Sequence, residues 1–407
     1  MQCGLLGRKL GHSYSPQIHK MYADYDYTLF EIEPDELESF LRTGDFTGLN
    51  VTMPYKKDVA ALCDVLSDRA KKLGAVNTVV RQKDGMLIGH NTDYFGFQSM
   101  LNKSGLEVGG KKVLVLGSGG ASATVVSVLE EMDADVIVIS RTGENNYSNL
   151  SLHADASVIV NTTPVGMYPN VGICPINLNL FPDLEGVLDV IYNPARTQLL
   201  LDAEKRGLVT ENGLWMLVAQ AKESAEWFTG MKINDARISQ VYKTMRMQME
   251  NIVLIGMPGC GKSTIGALLA AQLGKKFVDA DERIVTSYGM TIPAIFDIMG
   301  EAGFRKLEHE ALSDLGKQSG LVIATGGGCV TRRENYPLLH QNGTIIWIKR
   351  NIDALPTEGR PLSHKERMQS MYEIRKPMYG AFADYSINND RTPADAVAHI
   401  VELERKL

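Results

Sequence analysis

A strand, a glycine-rich turn and a helix follow one another twice along this chain of 407 residues. The first unit lies within 111–142 and the second starts near 250, each with an apolar run directly before the glycines. Parallel strands need helical crossovers of this kind, so the pattern predicts α/β domains with largely parallel sheets. We place the boundary near residue 248, which gives domains at 1–248 and 249–407.

The composition excludes several classes of protein. Apolar residues make up 44% of the chain and charged residues 22%, which is typical of globular proteins with buried cores. The net charge of −6 gives no general attraction for nucleic acid or a membrane surface. No apolar run approaches the length of a membrane span, and the five cysteines lie far apart. We therefore expect reduced thiols, a cytoplasmic location, and neither nucleic-acid nor membrane partners, with self-association left open.

The second glycine-rich turn fits the pattern G-x-x-x-x-G-K-[ST] from Gly256 to Ser263, and Thr264 follows it. Glycines let such a loop point its N–H groups at phosphate oxygens, while Lys262 adds a positive charge and the Ser263 hydroxyl suits Mg²⁺. The sequence therefore predicts a binding site for a nucleoside triphosphate with Mg²⁺. The residues predicted to hold the nucleotide are Gly259, Cys260, Gly261, Lys262, Ser263 and Thr264.

Charged residues after this turn are candidates for the phosphoryl acceptor site. Asp279 and Asp281 end an apolar run, and in a strand both would face one side, one for magnesium and one for a hydroxyl. Arg305 and Arg375 could clamp a carboxylate, although each alone is also typical of a solvated helix surface. Arg360, within a polar stretch, could cap the transferring group.

Taken together, these motifs resemble the shikimate kinase family over about 250–407, in the order P-loop, D-x-D, FRxxE, TGGG, RPL and RxPxY. The resemblance implies a P-loop fold like that of nucleoside monophosphate kinases, using ATP and Mg²⁺ to phosphorylate shikimate. It implies that shikimate is bound by Asp281, Arg305, Gly327 and Arg375, with Asp281 near the 3-hydroxyl. It also implies that Lys262 and Arg360 stabilise the transferring charge, and that Ser263 and Asp279 serve Mg²⁺.

The first glycine-rich turn is a G-x-G-G-x-x-A sequence starting at Gly117, after the apolar run VLVLG. This arrangement places a pyrophosphate at a helix N-terminus. The next apolar run ends at Arg141, 24 residues after Gly117, where an acidic residue would favour NAD. Arg141 suits a 2′-phosphate instead and predicts NADP(H), although Glu144 nearby opposes that preference.

Lys56 and Asp93 form the candidate catalytic pair of the first half. Either alone could be a surface charge, but together they could protonate a carbonyl oxygen and hold a substrate hydroxyl. Ser13 and Ser15 offer two hydroxyls to a carboxylate, or could cap the helix that begins near Pro16.

Residues 1–247 resemble the shikimate dehydrogenase family through SxSPxxH, NVTxPxK, AxNT, GxNTDxxGF, GxGG, RT, NTTPxGM, DxxYNPxxT and GxxMLVxQA. The resemblance implies a substrate domain at about 1–95 and 219–247, and a Rossmann-type NADP domain at about 96–218. The implied substrate contacts are Ser13, Ser15, Thr52, Lys56, Asn77, Asn91, Asp93 and Gln220. The implied cofactor contacts are Gly117, Ser118, Gly119, Gly120, Ala121, Ser140, Arg141, Thr142, Thr162 and Gly213, with Tyr192 near both ligands.

Two consecutive reactions on one chain are therefore expected: reduction of 3-dehydroshikimate with NADPH, then phosphorylation of shikimate by ATP. One alternative is a first half that acts on quinate with NAD. Another is a metabolite-sensing regulator, which predicts eroded catalytic positions and an added DNA-binding segment. A third is one inactive domain, because the segment before Arg360 is short and lacks additional arginines.

Overall fold

A computed structural model of the chain describes residues 1–11, 13–355 and 363–406. Its contacts divide the chain into two compact units. Unit 1 comprises Met1–Val165, Ile173–Tyr192 and Leu199–Met245, and unit 2 comprises Gly166–Gly172, Asn193–Gln198 and Arg246–Leu407. The last division, between Met245 and Arg246, lies close to the boundary predicted near 248.

Unit 1 begins with a mixed sheet. Its strands are β1 (Gln2–Gly7), β2 (Asp26–Glu31), β3 (Gly48–Val51), β4 (Val65–Leu66), β5 (Thr78–Arg81) and β6 (Leu87–His90), in the order β2-β1-β3-β5-β6-β4. The helices between them are α1 (Ser15–Tyr22), α2 (Leu37–Thr43), α3 (Lys56–Leu62) and α4 (Asp68–Leu73). Because β5 runs antiparallel to both β3 and β6, those two strands end at the same edge of the sheet.

A second sheet of unit 1 is wholly parallel. Its strands are β7 (Lys112–Leu116), β8 (Asp135–Ile139), β9 (Val158–Asn161), β10 (Gly186–Asp189) and β11 (Val209–Asn212), in the order β11-β10-β9-β7-β8. The helices of this part are α5 (Asp93–Ser104), α6 (Gly120–Glu131), α7 (Gln198–Lys205), α8 (Leu214–Thr229) and α9 (Ala236–Met249). The strand order reverses between β7 and β9, and the crevice at such a point is where open α/β sheets bind ligands.

The sheet of unit 2 is also parallel. Its strands are β12 (Asn251–Ile255), β13 (Lys276–Asp279), β14 (Leu321–Ala324), β15 (Gly343–Lys349) and β16 (Tyr385–Asn388), in the order β13-β14-β12-β15-β16. Its helices are α10 (Lys262–Leu273), α11 (Ala280–Tyr288), α12 (Ile292–Gly316), α13 (Asn335–His340), α14 (Ser363–Phe382) and α15 (Pro393–Lys406). The backbone leaves helical geometry inside α12 at Gly300, whose φ is +67°.

These sheets confirm the predicted α/β class and the parallel sheet beside each glycine-rich turn. The central strands β7, β9 and β12 are apolar and buried along most of their length, because helices cover both faces of a parallel sheet. Among the described residues, no helix is long and apolar enough to cross a membrane.

Candidate active sites

The candidate acid/base pair of unit 1 lies at the edge where β3 and β6 end. Lys56 is the first residue of α3, which follows β3, and Asp93 is the first residue of α5, which follows β6. Lys56 Nζ donates a hydrogen bond to Asp93 Oδ2 at 2.6 Å. The two side chains are 27% and 16% exposed, so the pair is sheltered but open to a small ligand.

Two predicted carboxamides lie behind this pair. Asn77 Oδ1 accepts the Thr92 N–H at 2.7 Å, which ties Asn77 to the residue directly before Asp93. Gln220, on α8, has its Oε1 3.4 Å from Thr92 Oγ1. Four residues predicted to contact shikimate therefore lie around Thr92 and the start of α5. They are Lys56, Asp93, Asn77 and Gln220.

The remaining predicted substrate residues have differing surroundings. Ser13 Oγ accepts the Ser15 N–H at 3.2 Å, and this bond closes a short turn at the start of α1. Neither serine hydroxyl caps that helix. Thr52 directly follows β3. Asn91 is held structurally, since its Nδ2 donates to Ala75 O at 3.0 Å. The Tyr192 ring packs edge-on against Tyr14, with centroids 6.3 Å apart, and burial raises the Tyr192 pKa.

The first glycine-rich turn directly follows β7 and opens α6. Gly117 has a φ of +104°, and a Cβ there would lie 3.0 Å from Thr162 Oγ1. Gly119 and Gly120 are exposed, and a Cβ on either would meet no described atom within 4 Å. The exposed backbone of Ser118, Gly119 and Gly120 therefore lies at a helix N-terminus, which suits a pyrophosphate, whereas the Gly117 N–H donates to Ile139 O at 2.8 Å.

The other predicted cofactor residues surround the same strand ends. Thr162 follows β9 and donates through Oγ1 to Leu116 O at 2.6 Å. Ser140, Arg141 and Thr142 follow β8, and the Arg141 side chain is exposed. Gly213 precedes α8, where a Cβ would overlap the Val190 carbonyl oxygen at 2.0 Å.

The phosphate loop of unit 2 lies between β12 and α10. Gly256, Gly259 and Gly261 have φ values of +146°, +79° and +103°, which side-chain-bearing residues rarely adopt. Lys262 is buried, and its Nζ donates to Gly256 O at 2.9 Å and Met257 O at 3.1 Å. The loop therefore folds around its own lysine, with Ser263 and Thr264 exposed at the start of α10.

The candidate magnesium residues contact each other. Ser263 Oγ donates to Asp279 Oδ2 at 2.6 Å, so a hydroxyl and a carboxylate face one point beside the phosphate loop. Oxygen ligands of this kind suit Mg²⁺. The expectation that Asp279 and Asp281 share a strand face is wrong, because β13 ends at Asp279 and Asp281 lies in the first turn of α11. Asp279 caps that helix, accepting the Asp281 N–H at 3.0 Å.

Asp281 points toward a second carboxylate at the candidate acceptor site. A Cβ on Gly326 would lie 2.8 Å from Asp281 Oδ1 and 2.7 Å from Glu308 Oε1. Both oxygens are buried without a hydrogen-bond partner among the described residues. Burial raises the pKa of each carboxyl, and Asp279 raises that of Asp281 further. Two such oxygens converging on bare backbone suit the hydroxyl groups of a small ligand.

Arg305 lies beside these carboxylates. Its Nη1 donates to Glu308 Oε2 at 2.8 Å, and the Glu308 side chain is only 1% exposed. A Cβ on Gly328 would lie 2.3 Å from the guanidinium carbon of Arg305, so the guanidinium packs directly on the loop after β14. Arg305 therefore has a fixed position.

Arg375, on α14, completes the described part of this site. Its Nη1 donates to Gly327 O at 3.1 Å, and Tyr379 Oη donates to the same carbonyl at 2.5 Å. A Cβ on Gly327 would lie 2.6 Å from Pro258 Cδ, so this loop packs against the phosphate loop. Arg360 lies outside the described residues.

Comparisons with known proteins found matches to two parts of the chain. A family model described as the shikimate dehydrogenase substrate binding domain matches residues 5–79, and one described as shikimate kinase matches residues 258–404. Shikimate dehydrogenase (NADP(+)) of Clostridium perfringens strain SM101 is 35% identical over 265 residues, covering 60% of this chain and 97% of that relative. The chain belongs to the shikimate dehydrogenase family.

Solved structures of shikimate dehydrogenases resemble the same region. A chorismate mutase/shikimate 5-dehydrogenase fusion protein from Clostridium acetobutylicum matches with a TM-score of 0.57 and 35% identity, over 60% of this chain and 96% of that one. Shikimate 5-dehydrogenase from Thermus thermophilus, in complex with NADP(H) and shikimate, matches with a TM-score of 0.55 and 30% identity, over 60% and 99%. With the kinase match, the chain is a bifunctional shikimate-pathway enzyme.

Sequence reasoning missed two residues of the kinase site. Glu308 holds Arg305, and Tyr379 holds the Gly327 carbonyl beside Arg375. Each is the last letter of a motif, FRxxE or RxPxY, whose arginine alone was singled out. The spacing carried the signal, because residues three or four apart on a helix lie on one face.

Proposed function

We propose that unit 1 reduces 3-dehydroshikimate to shikimate with NADPH and that unit 2 then phosphorylates shikimate from MgATP. The observation that carries the proposal is the 2.6 Å contact between Lys56 Nζ and Asp93 Oδ2, at the edge where β3 and β6 end. The NADP(+) in the names of the relatives supports the choice of cofactor. The proposal includes the domain boundaries and the site residues that the sequence predicts.

In the reduction, NADPH bound at the turn after β7 would supply the hydride. Lys56 donates a proton to the ketone oxygen as the carbonyl carbon becomes a secondary alcohol. Asp93 holds the Lys56 ammonium and a substrate hydroxyl, while Ser13 and Ser15 bind the carboxylate. Arg141, after β8, binds the 2′-phosphate, since β8 ends without an acidic residue.

In the phosphorylation, Asp281 accepts the proton of the shikimate hydroxyl as its oxygen attacks the terminal phosphorus. The raised pKa of Asp281 supports this role, because a carboxylate that favours its proton is a better base. Lys262 neutralises charge on the transferring group, while Ser263 and Asp279 hold Mg²⁺. Arg305 and Arg375 bind the substrate carboxylate, and Arg360 stabilises the transferring charge.

Two separate assays on the intact chain test the proposal. NADPH consumption with 3-dehydroshikimate should greatly exceed NADH consumption, and the reverse reaction should oxidise shikimate in preference to quinate. ADP formation from MgATP should require shikimate. A preference for quinate and NAD would replace the first activity, and absence of both activities would favour the regulator.

A further inference from the structure

Three buried hydroxyls form a triangle beneath the proposed dehydrogenase site. Ser224 Oγ, on α8, lies 2.9 Å from Thr78 Oγ1 and 3.0 Å from Thr92 Oγ1, and the two threonines are 3.2 Å apart. All three residues are 0% exposed. Buried hydroxyls are costly unless they are bonded, so the protons of these three groups must go to acceptors in their immediate surroundings.

Both threonines of the triangle hold the carboxamide of Asn77. Asn77 Nδ2 donates to Thr92 Oγ1 at 3.0 Å, and Thr78 Oγ1 donates to Asn77 Oδ1 at 3.2 Å. The Thr92 N–H also donates to Asn77 Oδ1. The second N–H of Asn77 Nδ2 has no hydrogen-bond partner in the described part of the chain, so it is the group left for a ligand.

Ser224 itself is anchored by groups whose roles are fixed. Asn50 Nδ2 donates to Ser224 Oγ at 2.8 Å, and Ser224 Oγ donates to Gln220 O at 3.0 Å. Tyr27 Oη donates to Asn50 Oδ1 at 2.8 Å, and burial raises the Tyr27 pKa so that this proton is retained. With its own proton on Gln220 O, Ser224 Oγ is the nearest acceptor for the Thr92 hydroxyl, at 3.0 Å compared with 3.2 Å for Asn77 Oδ1 and 3.4 Å for Gln220 Oε1.

When Thr92 Oγ1 donates its proton to Ser224, it still accepts the hydrogen bond from Asn77 Nδ2. We propose that Ser224 is a positioning residue of the dehydrogenase site, which acts through the Thr92 hydroxyl to orient the Asn77 carboxamide toward the substrate. The inference rests on the proposed function of unit 1. Ser224 is 0% exposed, so a bound ligand would not contact it, and it lies 174 positions along the chain from Asn50.

Removing the hydroxyl should loosen Asn77 without emptying the site. In Ser224→Ala, Asn50 Nδ2 and Thr92 lose a shared partner, and the Thr92 hydroxyl can turn to another acceptor. We expect kcat/KM for 3-dehydroshikimate to fall by about tenfold, as misplacement of a substrate-orienting group does. The KM for NADPH should stay unchanged, because the turn after β7 belongs to the other sheet of unit 1.

The test is a double-mutant cycle with Asn77→Ala on the full chain. Ser224→Ala should cost about tenfold in the wild-type background but less than about threefold in the Asn77→Ala background, because its effect passes through Asn77. Ser127→Ala is the matched control. Ser127 is also a buried helical serine, and its hydroxyl has no hydrogen-bond partner among the described residues. That variant should keep the wild-type kcat/KM in both backgrounds.

Each outcome decides the inference. Non-additive losses with an unchanged NADPH KM support a positioning role. Equal losses in both backgrounds, or a Ser224→Ala enzyme as active as Ser127→Ala, would overturn it. A wild-type chain that does not reduce 3-dehydroshikimate would instead overturn the proposed function, and the wild-type rate is measured first for that reason.

Discussion

The two glycine-rich turns differ in where their positive charge lies. The turn after β7 contains no basic side chain, and Arg141 lies at the end of the neighbouring strand β8. In unit 2 the lysine belongs to the turn itself, since Lys262 begins α10 and bonds the Gly256 carbonyl.

Because of this difference, phosphate binding and catalysis rest on separate residues in unit 1 but on one residue in unit 2. In the proposed dehydrogenase, Arg141 binds the cofactor phosphate, while Lys56, at the start of α3 beside the mixed sheet, transfers the proton. In the proposed kinase, Lys262 binds phosphate and also stabilises the reacting group. Substitutions should therefore separate cofactor affinity from turnover in unit 1, but change both together in unit 2.

Lys56→Ala should have the largest effect. Loss of the general acid should lower kcat for 3-dehydroshikimate by about 10³-fold, with the KM for NADPH unchanged. Lys57→Ala removes the same charge from the adjacent, exposed position and should behave as wild type. Steady-state kinetics on both variants check the prediction. A raised KM for NADPH in Lys56→Ala would contradict the separation of cofactor binding from proton transfer in unit 1.

Lys262→Ala should impair phosphorylation in both kinetic constants. We expect kcat to fall by about 100-fold and the KM for ATP to rise, since one ammonium serves ground state and transition state. Reduction of 3-dehydroshikimate by the same variant is the internal control and should be unaffected. A fall in kcat with an unchanged KM would show that Lys262 does not divide its role in this way.

Arg141→Ala should affect affinity alone. The KM for NADPH should rise by about tenfold because a charge-assisted bond to the 2′-phosphate is lost, while kcat at saturating NADPH stays constant. The KM for NADH, which lacks that phosphate, should not change. Equal effects on both cofactors would place Arg141 away from the 2′-phosphate.

A separate effect concerns the acid stability of unit 1. Burial lowers the pKa of His19 from 6.5 to about 3. Between these two pH values the unfolded chain binds a proton at His19, whereas the folded protein does not. Stability from this residue is present above pH 6.5 and falls as the pH drops toward 3, by up to about 1.4 kcal/mol per pH unit. Urea unfolding of His19→Asn should therefore show a shallower loss between pH 6.5 and 4.5 than wild type. Equal slopes would show that His19 is protonated in the folded state.

Local patterns predicted the parts of the sites that lie next to one another in the chain. The phosphate loop and the turn at Gly117 each follow a buried strand and open a helix, as the glycine spacing indicates. The same reasoning erred at Asp281, because Asp279 caps α11 and ends the strand one residue after Val278. The sequence pattern alone did not show that Asp279 caps a helix instead of continuing the strand.

Contacts between distant residues had no local signal. The pairing of Lys56 with Asp93 was predicted from their chemistry, but hydrophobic patterns did not show that the antiparallel strand β5 brings them together. Ser224 reads as an ordinary helical residue, yet it bonds Asn50 and Thr78 from other elements. Such partners follow from packing, which a single sequence does not reveal.

The most direct test of two working sites on one chain is a single incubation of the intact protein with 3-dehydroshikimate, NADPH and MgATP. Mass spectrometry of the products should detect shikimate 3-phosphate, and its formation should stop when either NADPH or ATP is omitted. Accumulation of shikimate without the phosphate, or no conversion at all, would contradict the account.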